Sequence, residues 1–192
     1  MFRNAIAAMV LALFAAPLWA SASDVPREVR DRAMKVDAAL EKLEKEAARK
    51  PSGPPASAEV VEGDLNAWIA WRIAVEMGKY VKSIELRLLD KNCVEGKIAL
   101  DLAGTPASFL VPAGADLYFA ASGESRDGKI RIAMNSLYLG TQKLAPELID
   151  TIISFVAGLQ GQKAASLRDW YPLPYGIRRL ESRRGRLICH YR

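Results

Sequence analysis

The arginines at the C-terminal end of the chain are its clearest chemical feature. Residues 166–192 contain seven arginines against Asp169 and Glu181, a balance of +5, which equals the net charge of the whole chain. A guanidinium group binds phosphate and carboxylate groups through paired hydrogen bonds. We therefore expect an anion-binding cluster at Arg178, Arg179, Arg183, Arg184 and Arg186. The alternative is a solvated strand edge, where arginines prevent pairing with another sheet.

Residues that could catalyse a reaction are few. The only histidine, His190, lies two residues from the end, on a predicted strand where Cys189 must point to the opposite face. Glu62 and Asp64 are close enough in sequence to suggest a pair of hydrolytic carboxylates, but capping of a helix start explains them more simply. We expect no catalytic residue, no metal site and no cofactor. A hydrolase that uses Glu62 or Asp64 is the alternative.

Asn66 lies in the first turn of the same predicted helix, which is otherwise apolar. A buried amide group needs hydrogen-bond partners. We expect Asn66 to clamp the helix to a neighbouring strand or loop, and contact with the headgroup of a ligand is the alternative. Glu62, Asp64 and Asn66 are thus predicted to be structural residues.

The chain has two cysteines, Cys93 and Cys189, and both lie on predicted strands. An even pair of cysteines in an oxidising compartment can form a disulfide. Their spacing in sequence does not show that their Cα atoms lie within bridging distance. A disulfide and two separate buried thiols therefore both remain open.

The first 22 residues have the pattern of a secretory signal peptide. Arg3 precedes an apolar run over residues 5–16, and Ala20-Ser21-Ala22 is typical of a cleavage site. The run is shorter than the roughly 20 residues of a membrane span. We expect cleavage after Ala22 and a periplasmic or secreted protein, with an uncleaved anchor as the alternative. This compartment disfavours a nucleic-acid partner, as does the lack of aromatic residues interleaved on a basic face.

Three helices are predicted. Residues 26–50 form an amphipathic helix whose thin apolar stripe could pack on the domain, bind a partner or stand in solvent. Proline, glycine and serine make residues 51–58 a linker, and residues 59–192 are a single domain. A second helix begins near Glu62. The third, residues 146–160, is apolar over more than half its circumference, which predicts a buried helix.

Alternating apolar and polar residues predict antiparallel hairpins that turn at residues 90–92, 126–128 and 184–185. The alternation shifts phase at Asn135-Ser136, which predicts a β-bulge or bend there. Hairpins with helices on one face indicate an α+β fold. We expect a curved antiparallel sheet that wraps around the apolar helix at 146–160.

Several motifs resemble those of a group of exported bacterial proteins of uncharacterised function. Glu62-x-Asp64-Leu-Asn66-Ala resembles the E-x-E-L-N-A helix start of this group, with Asp64 in place of its second Glu and Trp68 in place of its Tyr. Leu173-Pro-Tyr-Gly-Ile-Arg178, followed by Gly185, is similar to its closing L-P-Y-G-I-R hairpin. The likeness covers residues 59–192. More remotely, the layout resembles tubular lipid-binding envelope proteins, in which a bent sheet around an apolar helix holds a lipid.

The wide apolar surface of the 146–160 helix leads to a functional expectation. We expect a non-catalytic envelope protein that binds a lipid or another amphipathic anionic component, with the arginines at its headgroup. The residues predicted to line the apolar part are Leu117, Phe119, Ile152, Phe155, Val156 and Leu159. The alternative is an interaction module of an envelope assembly or secretion machine, which docks through the 26–50 helix or a sheet edge.

Overall fold

The computed structural model describes residues 25–49, 54, 56–76, 80–105, 108, 114, 116–159 and 166–191. The predicted signal peptide lies outside these residues. The elements follow in the order α1 (Arg27–Arg49), β1 (Ala56–Val61), α2 (Glu62–Glu76), β2 (Val81–Leu88), β3 (Cys93–Leu100), β4 (Asp116–Arg126), β5 (Lys129–Leu139), β6 (Gln142–Leu144), α3 (Leu148–Leu159), β7 (Tyr171–Pro172), β8 (Ile177–Arg183) and β9 (Arg186–Tyr191). The fold is α+β, and none of the described helices is long and apolar enough to cross a membrane.

The larger sheet is antiparallel, with the strand order β2-β3-β4-β5-β6 and with β7 paired to β5. Ile84, Ile98 and Leu117 lie directly opposite one another on three adjacent strands, so these strands share one apolar face. The sheet is strongly curled, like half of a barrel. This face is the inner face of the curl, and its apolar residues form the core.

The β-bulge predicted near residue 135 is confirmed. Ala120 pairs with Ser136 and Ala121 pairs with Met134, which leaves Asn135 as an extra residue in β5. A bulge bends its strand and increases the local twist. It therefore contributes to the curl of the sheet at β4 and β5.

A second antiparallel sheet has the order β1-β9-β8. Strand β1 begins at Ala56, inside the segment that its composition predicted to be a linker, and Ala58 lies opposite Cys189 of β9. An alanine- and serine-rich stretch has little strand pattern of its own, so the C-terminal strand that pairs with it determines its conformation. In β8, Leu180 and Ser182 face inwards, whereas the residues between and beside them face the other side.

Helix α1 packs on the domain, which was one of the three placements open from its sequence. Its buried residues are Ala33, Val36, Leu40 and Leu43, and they belong to the same core cluster as the sheet residues. At the C-terminal end of α1, Ala47 packs so closely against Gly176 that a side chain at residue 176 would overlap it. The apolar stripe of α1 is thus used inside the protein.

Polar contacts also fix α1 to the domain. Trp68 of α2 donates a hydrogen bond from Nε1 to Asp37 Oδ1 at 2.7 Å. The Tyr191 hydroxyl donates to Glu46 Oε2 at 2.6 Å. These bonds tie α1 to α2 and to the last strand, so helix and domain share one packed interior.

Helix α3 has a buried side and a solvent side. Its buried residues are Ile149, Ile152, Ile153 and Ala157. Its exposed residues are Leu148, Thr151, Ser154 and Gly158, which recur at three- and four-residue steps and therefore share one side of the helix. The structure does not show the predicted sheet wrapped around this helix. The physical reason is that small and polar side chains give α3 a face that water can solvate.

Candidate ligand-binding site

An apolar cavity lies between the inner face of the large sheet and the smaller sheet. Its volume is about 130 Å³ and it is partly enclosed. Apolar side chains from α2 and five strands dominate its lining: Leu65, Leu86, Leu88, Val94, Ile130, Ile132, Leu180 and Leu187. An apolar cavity of about 150 Å³ stays dry and binds benzene. This cavity is thus large enough for one ring or a few methylene groups.

Strand β8 is held over the cavity by polar side chains from the turns of the large sheet. The Ser125 hydroxyl donates to the Leu180 carbonyl at 2.8 Å and accepts from the Leu180 N–H at 2.9 Å. Asn92 Oδ1 accepts from the Ser182 N–H at 2.9 Å, and the Ser182 hydroxyl donates to the Leu89 carbonyl at 2.8 Å. Since these polar groups already bond to the protein, the cavity offers mainly apolar contacts to a guest.

The predicted apolar residues on β4 lie elsewhere on the inner face. Leu117 is completely buried in the core. Phe119 is half-buried, and its ring occupies the space above Gly96, where a Cβ would overlap it. Neither residue lines the cavity. They fill the concave face that the sequence had suggested as a binding space.

The predicted apolar residues on α3 are likewise not brought to the cavity where they are described. Ile152 is buried and Phe155 is half-buried, and neither contributes to the lining. The side chains of Val156 and Leu159 lie outside the described residues. The residues that line the cavity were not predicted from the sequence. One of them could have been, because Leu180 is an apolar residue that alternates with Arg179 and Glu181 along a predicted strand.

Two of the five arginines, Arg179 and Arg183, lie around one carboxylate on the outer face of β8. Glu181 accepts a hydrogen bond from Arg183 Nε at 2.7 Å, and Arg179 Nη2 lies 3.8 Å from its other oxygen. His190 Nε2 on β9 lies 3.1 Å from the same oxygen. The hydrogen bonds from Arg183 and His190 lower the pKa of Glu181. Glu181 therefore stays ionised and offsets part of the positive charge.

The remaining arginines differ in how they are paired. Arg186 Nη1 lies 3.3 Å from Glu59 Oε2, and Arg184 Nε lies 3.9 Å from Asp90 Oδ2. Arg178 is exposed and pairs with no carboxylate among the described residues. Exposed ion pairs are weak and exchange with solvent ions. Arg178 and Arg184, at the two ends of β8, are thus the arginines most open to an external anion.

Glu62 and Asn66 bind the outer edge of strand β2. Asn66 Oδ1 accepts from the Leu86 N–H at 2.8 Å, and Asn66 Nδ2 donates to the Leu86 carbonyl at 2.7 Å. Glu62 Oε2 accepts from the Leu88 N–H at 2.5 Å. Four residues along a helix span about 6 Å, and two residues along a strand span about 6.7 Å. Side chains four residues apart on α2 can therefore reach the backbone of residues two apart on β2.

This arrangement closes an edge strand. β2 ends the strand order of the large sheet, so its outward backbone groups need other partners. The Leu88 carbonyl accepts from the Gly185 N–H at 3.1 Å, and the Gly185 carbonyl accepts from the Glu62 N–H at 2.9 Å. Gly185 has φ of +72°, a conformation that favours glycine. Gly185 and the start of α2, which are far apart in sequence, thus meet at the outer edge of β2.

Asp64 has a different partner. Arg32 Nε of α1 lies 3.0 Å from Asp64 Oδ1. The carboxylates of Glu62 and Asp64 are therefore engaged with strand β2 and with helix α1, respectively. Both contacts fix helices in place.

Both cysteines are free thiols in the structure. Cys93 is half-buried, and its Sγ lies 3.7 Å from the Lys91 carbonyl oxygen. Cys189 is buried, and burial raises the pKa of its thiol to about 12. A disulfide between Cys93 and Cys189 in the exported protein stays one of the two alternatives that the sequence left open.

Comparison of the chain with protein-family models, with curated proteins and with solved structures gave no match.

Proposed function

We propose that this protein is an exported, non-catalytic binder of an amphipathic anionic component of the cell envelope, such as a lipid. The apolar end of the ligand lies in the cavity between the two sheets. The observation that supports this proposal most strongly is the lining of that cavity, which combines eight apolar side chains with polar groups already bonded to the protein.

The size of the cavity limits what it can take. A volume of about 130 Å³ holds the end of a chain, or one ring, and not a whole acyl chain. The ligand therefore inserts only its apolar end. The rest of the molecule stays at the surface of the β8–β9 hairpin, where the guanidinium groups lie.

The charged group of the ligand is expected at the ends of β8. Leu180 and Ser182 line the cavity, so Arg179 and Arg183 point to the opposite side of the strand. Arg178 and Arg184 stand at the strand ends, where a guanidinium can reach round the edge. Arg178 is the stronger candidate because no described carboxylate competes for it.

The test is to export the protein with its own leader, purify it without detergent, and identify extracted lipids by mass spectrometry. Wild-type protein is expected to carry a reproducible amphiphile. Gly123→Val places a branched side chain at the cavity wall, where the nearest atoms to a new Cβ are 3.8 and 3.9 Å away. The added methyl groups occupy space that the apolar end of the ligand would fill. We expect a loss of at least about 1.4 kcal/mol in binding free energy, which is roughly tenfold in ligand load.

The control is Ala120→Val, which places a valine on the opposite face of the same strand. The Ala120→Val variant should carry as much ligand as the wild-type protein, provided that the melting temperatures of the two proteins are equal. Arg178→Gln should lower the load of an anionic ligand, whereas Arg87→Gln, another exposed arginine, should not. Protein that is reproducibly empty, or a Gly123→Val variant that is folded and fully loaded, would overturn the proposal.

A further inference from the structure

A second and larger space lies at the edge of strand β5, next to the apolar cavity, with which it shares Gly123 and Ile132. It is a cleft of about 410 Å³ between β4–β5, the start of α3 and the segment at residues 167–168. Pockets for small ligands span about 300–1,000 Å³. The cleft lies where the edge of β5 is left between its two short partners, β6 and β7. Nothing in the proposed function uses it.

The charges in this cleft largely cancel. Arg131 Nη2 lies 2.6 Å from Glu124 Oε2, and Arg168 Nη2 lies 3.6 Å from Glu147 Oε1. Asp150 is the fifth charged residue, so three carboxylates face two guanidinium groups. A site with this balance does not attract a multiply charged anion. It offers both hydrogen-bond donors and acceptors on planar groups, which suits neighbouring hydroxyl and amide groups of a neutral ligand.

Neighbouring contacts hold the polar groups in place. The Arg131 guanidinium lies 5.0 Å from the centre of the Trp170 ring, and Arg126 lies over the same ring at 4.6 Å. Asp150 accepts from the Ser166 hydroxyl at 3.0 Å and from the Leu167 N–H at 2.9 Å. Polar groups that are fixed before binding lose little entropy when a ligand arrives.

The cleft also has an apolar part. Ile132, Met134, Ile149 and Leu167 contribute to its lining beside the charged residues. Ile149 and Leu167 are buried, so they form its floor. A floor of this kind accepts one small apolar substituent, such as a methyl group, next to a polar ring.

The bulge in β5 argues against a peptide that adds a strand here. Strand addition needs a regular ladder of backbone groups along the edge. Asn135 is the extra residue of the bulge, and it follows directly after the residues of β5 that line the cleft. A bulge interrupts the ladder and is a known device against edge pairing. A ligand in this cleft is therefore recognised by the side chains that line it and not by backbone pairing with β5.

We propose that this cleft binds a neutral, polyhydroxylated ligand that carries one small apolar substituent, namely an N-acetylated sugar unit of a glycan. The guanidinium groups of Arg131 and Arg168 donate to its hydroxyl or carbonyl oxygens, and Glu124 and Glu147 accept from its hydroxyl groups. The acetyl methyl group lies on the apolar floor.

The experiment is calorimetric or NMR titration of the full exported chain with the β-1,4-linked trimer of N-acetylglucosamine. Saturable binding that changes little between low and high salt is expected. Arg131→Gln should weaken it by about tenfold or more, because it replaces a charged hydrogen-bond donor by a neutral one. Arg87→Gln is the control, since its ion pair with Glu95 at 3.5 Å lies outside the cleft. The melting temperature of each variant shows that it is folded.

Three results would overturn the proposal. The first is no saturable binding of the trimer up to about 10 mM, a limit that corresponds to a binding free energy weaker than about −2.7 kcal/mol. The second is binding that a folded Arg131→Gln variant leaves intact. The third is binding that only anionic sugars show and that salt abolishes, which would make the cleft an anion site. Arg131 lines the cleft and not the apolar cavity, so the two proposals fail separately.

Discussion

Replacing Asn66 by leucine should destabilise the protein strongly although Asn66 is not in a ligand site. The change removes two hydrogen bonds, at 2.7 and 2.8 Å, between the amide and the backbone of Leu86. Leucine is similar in size and apolar, so the loss is mainly that of the bonds. The N–H and C=O of Leu86 then lack the partner that closes this sheet edge.

The magnitude follows from these two groups. Leaving a buried donor or acceptor unsatisfied costs about 1–3 kcal/mol, and a half-buried group lies at the lower end because water can reach it. We therefore expect a loss of about 2–4 kcal/mol in the free energy of unfolding. For a chain of this size, each kcal/mol lowers the melting temperature by about 2–4 °C, which gives roughly 4–16 °C in total.

Urea unfolding followed by circular dichroism measures this loss. Asn135→Leu is the matched control, since Asn135 is exposed and, among the described residues, its side chain accepts only one long hydrogen bond, from the Ser122 hydroxyl at 3.4 Å. The control should change stability by less than about 0.5 kcal/mol. Equal effects of the two substitutions, or a loss below about 0.5 kcal/mol for Asn66→Leu, would refute the edge-clamp reasoning.

Two further predictions concern ionisable groups. A thiol reagent at pH 8 should label Cys93 and not Cys189 in native protein, because burial raises the pKa of Cys189 to about 12 and keeps the thiol protonated. Mass spectrometry of the labelled protein should show one label in the native state and two labels only after denaturation. If no thiol reacts until a reductant is added, a disulfide between the two cysteines has formed and the free-thiol arrangement is contradicted. Burial also raises the pKa of Asp37, against the opposing effects of the Trp68 hydrogen bond and Arg72. Its ionised form is therefore disfavoured in the fold, so its contribution to stability falls as pH rises through that pKa. Asp37→Asn keeps an acceptor for Trp68 and should be at least as stable as wild type at pH 7, and the difference in stability should vanish below about pH 4. A variant that is less stable than wild type at pH 7 but equally stable in acid would contradict this reasoning.

The sequence was informative where structure depends on neighbours in the chain. The three hairpin turns, the helix at Glu62 and the bulge at Asn135 follow from local alternation and from turn residues. Helix α3 was also located, but its solvent side was missed. Thr151, Ser154 and Gly158 recur on one side of the helix, and a count of its apolar residues alone hides that spacing.

Long-range pairing determined what the sequence left open. Strand β1 forms because β9 pairs with it, and the apolar cavity forms because β8 crosses the turns at Asn92 and Ser125. Neither contact leaves a local pattern. The E-x-x-x-N spacing of Glu62 and Asn66 did carry information, since it matches alternate residues of a strand. Which strand they bind could not be known from spacing alone.

The most direct test of the binding proposal is a high-resolution crystal structure of the exported protein, purified without detergent. We predict elongated electron density in the cavity between Leu86, Ile130 and Leu180, continuing towards the end of β8. A cavity that is empty in such crystals, or filled by rotated side chains of the protein itself, would contradict the account.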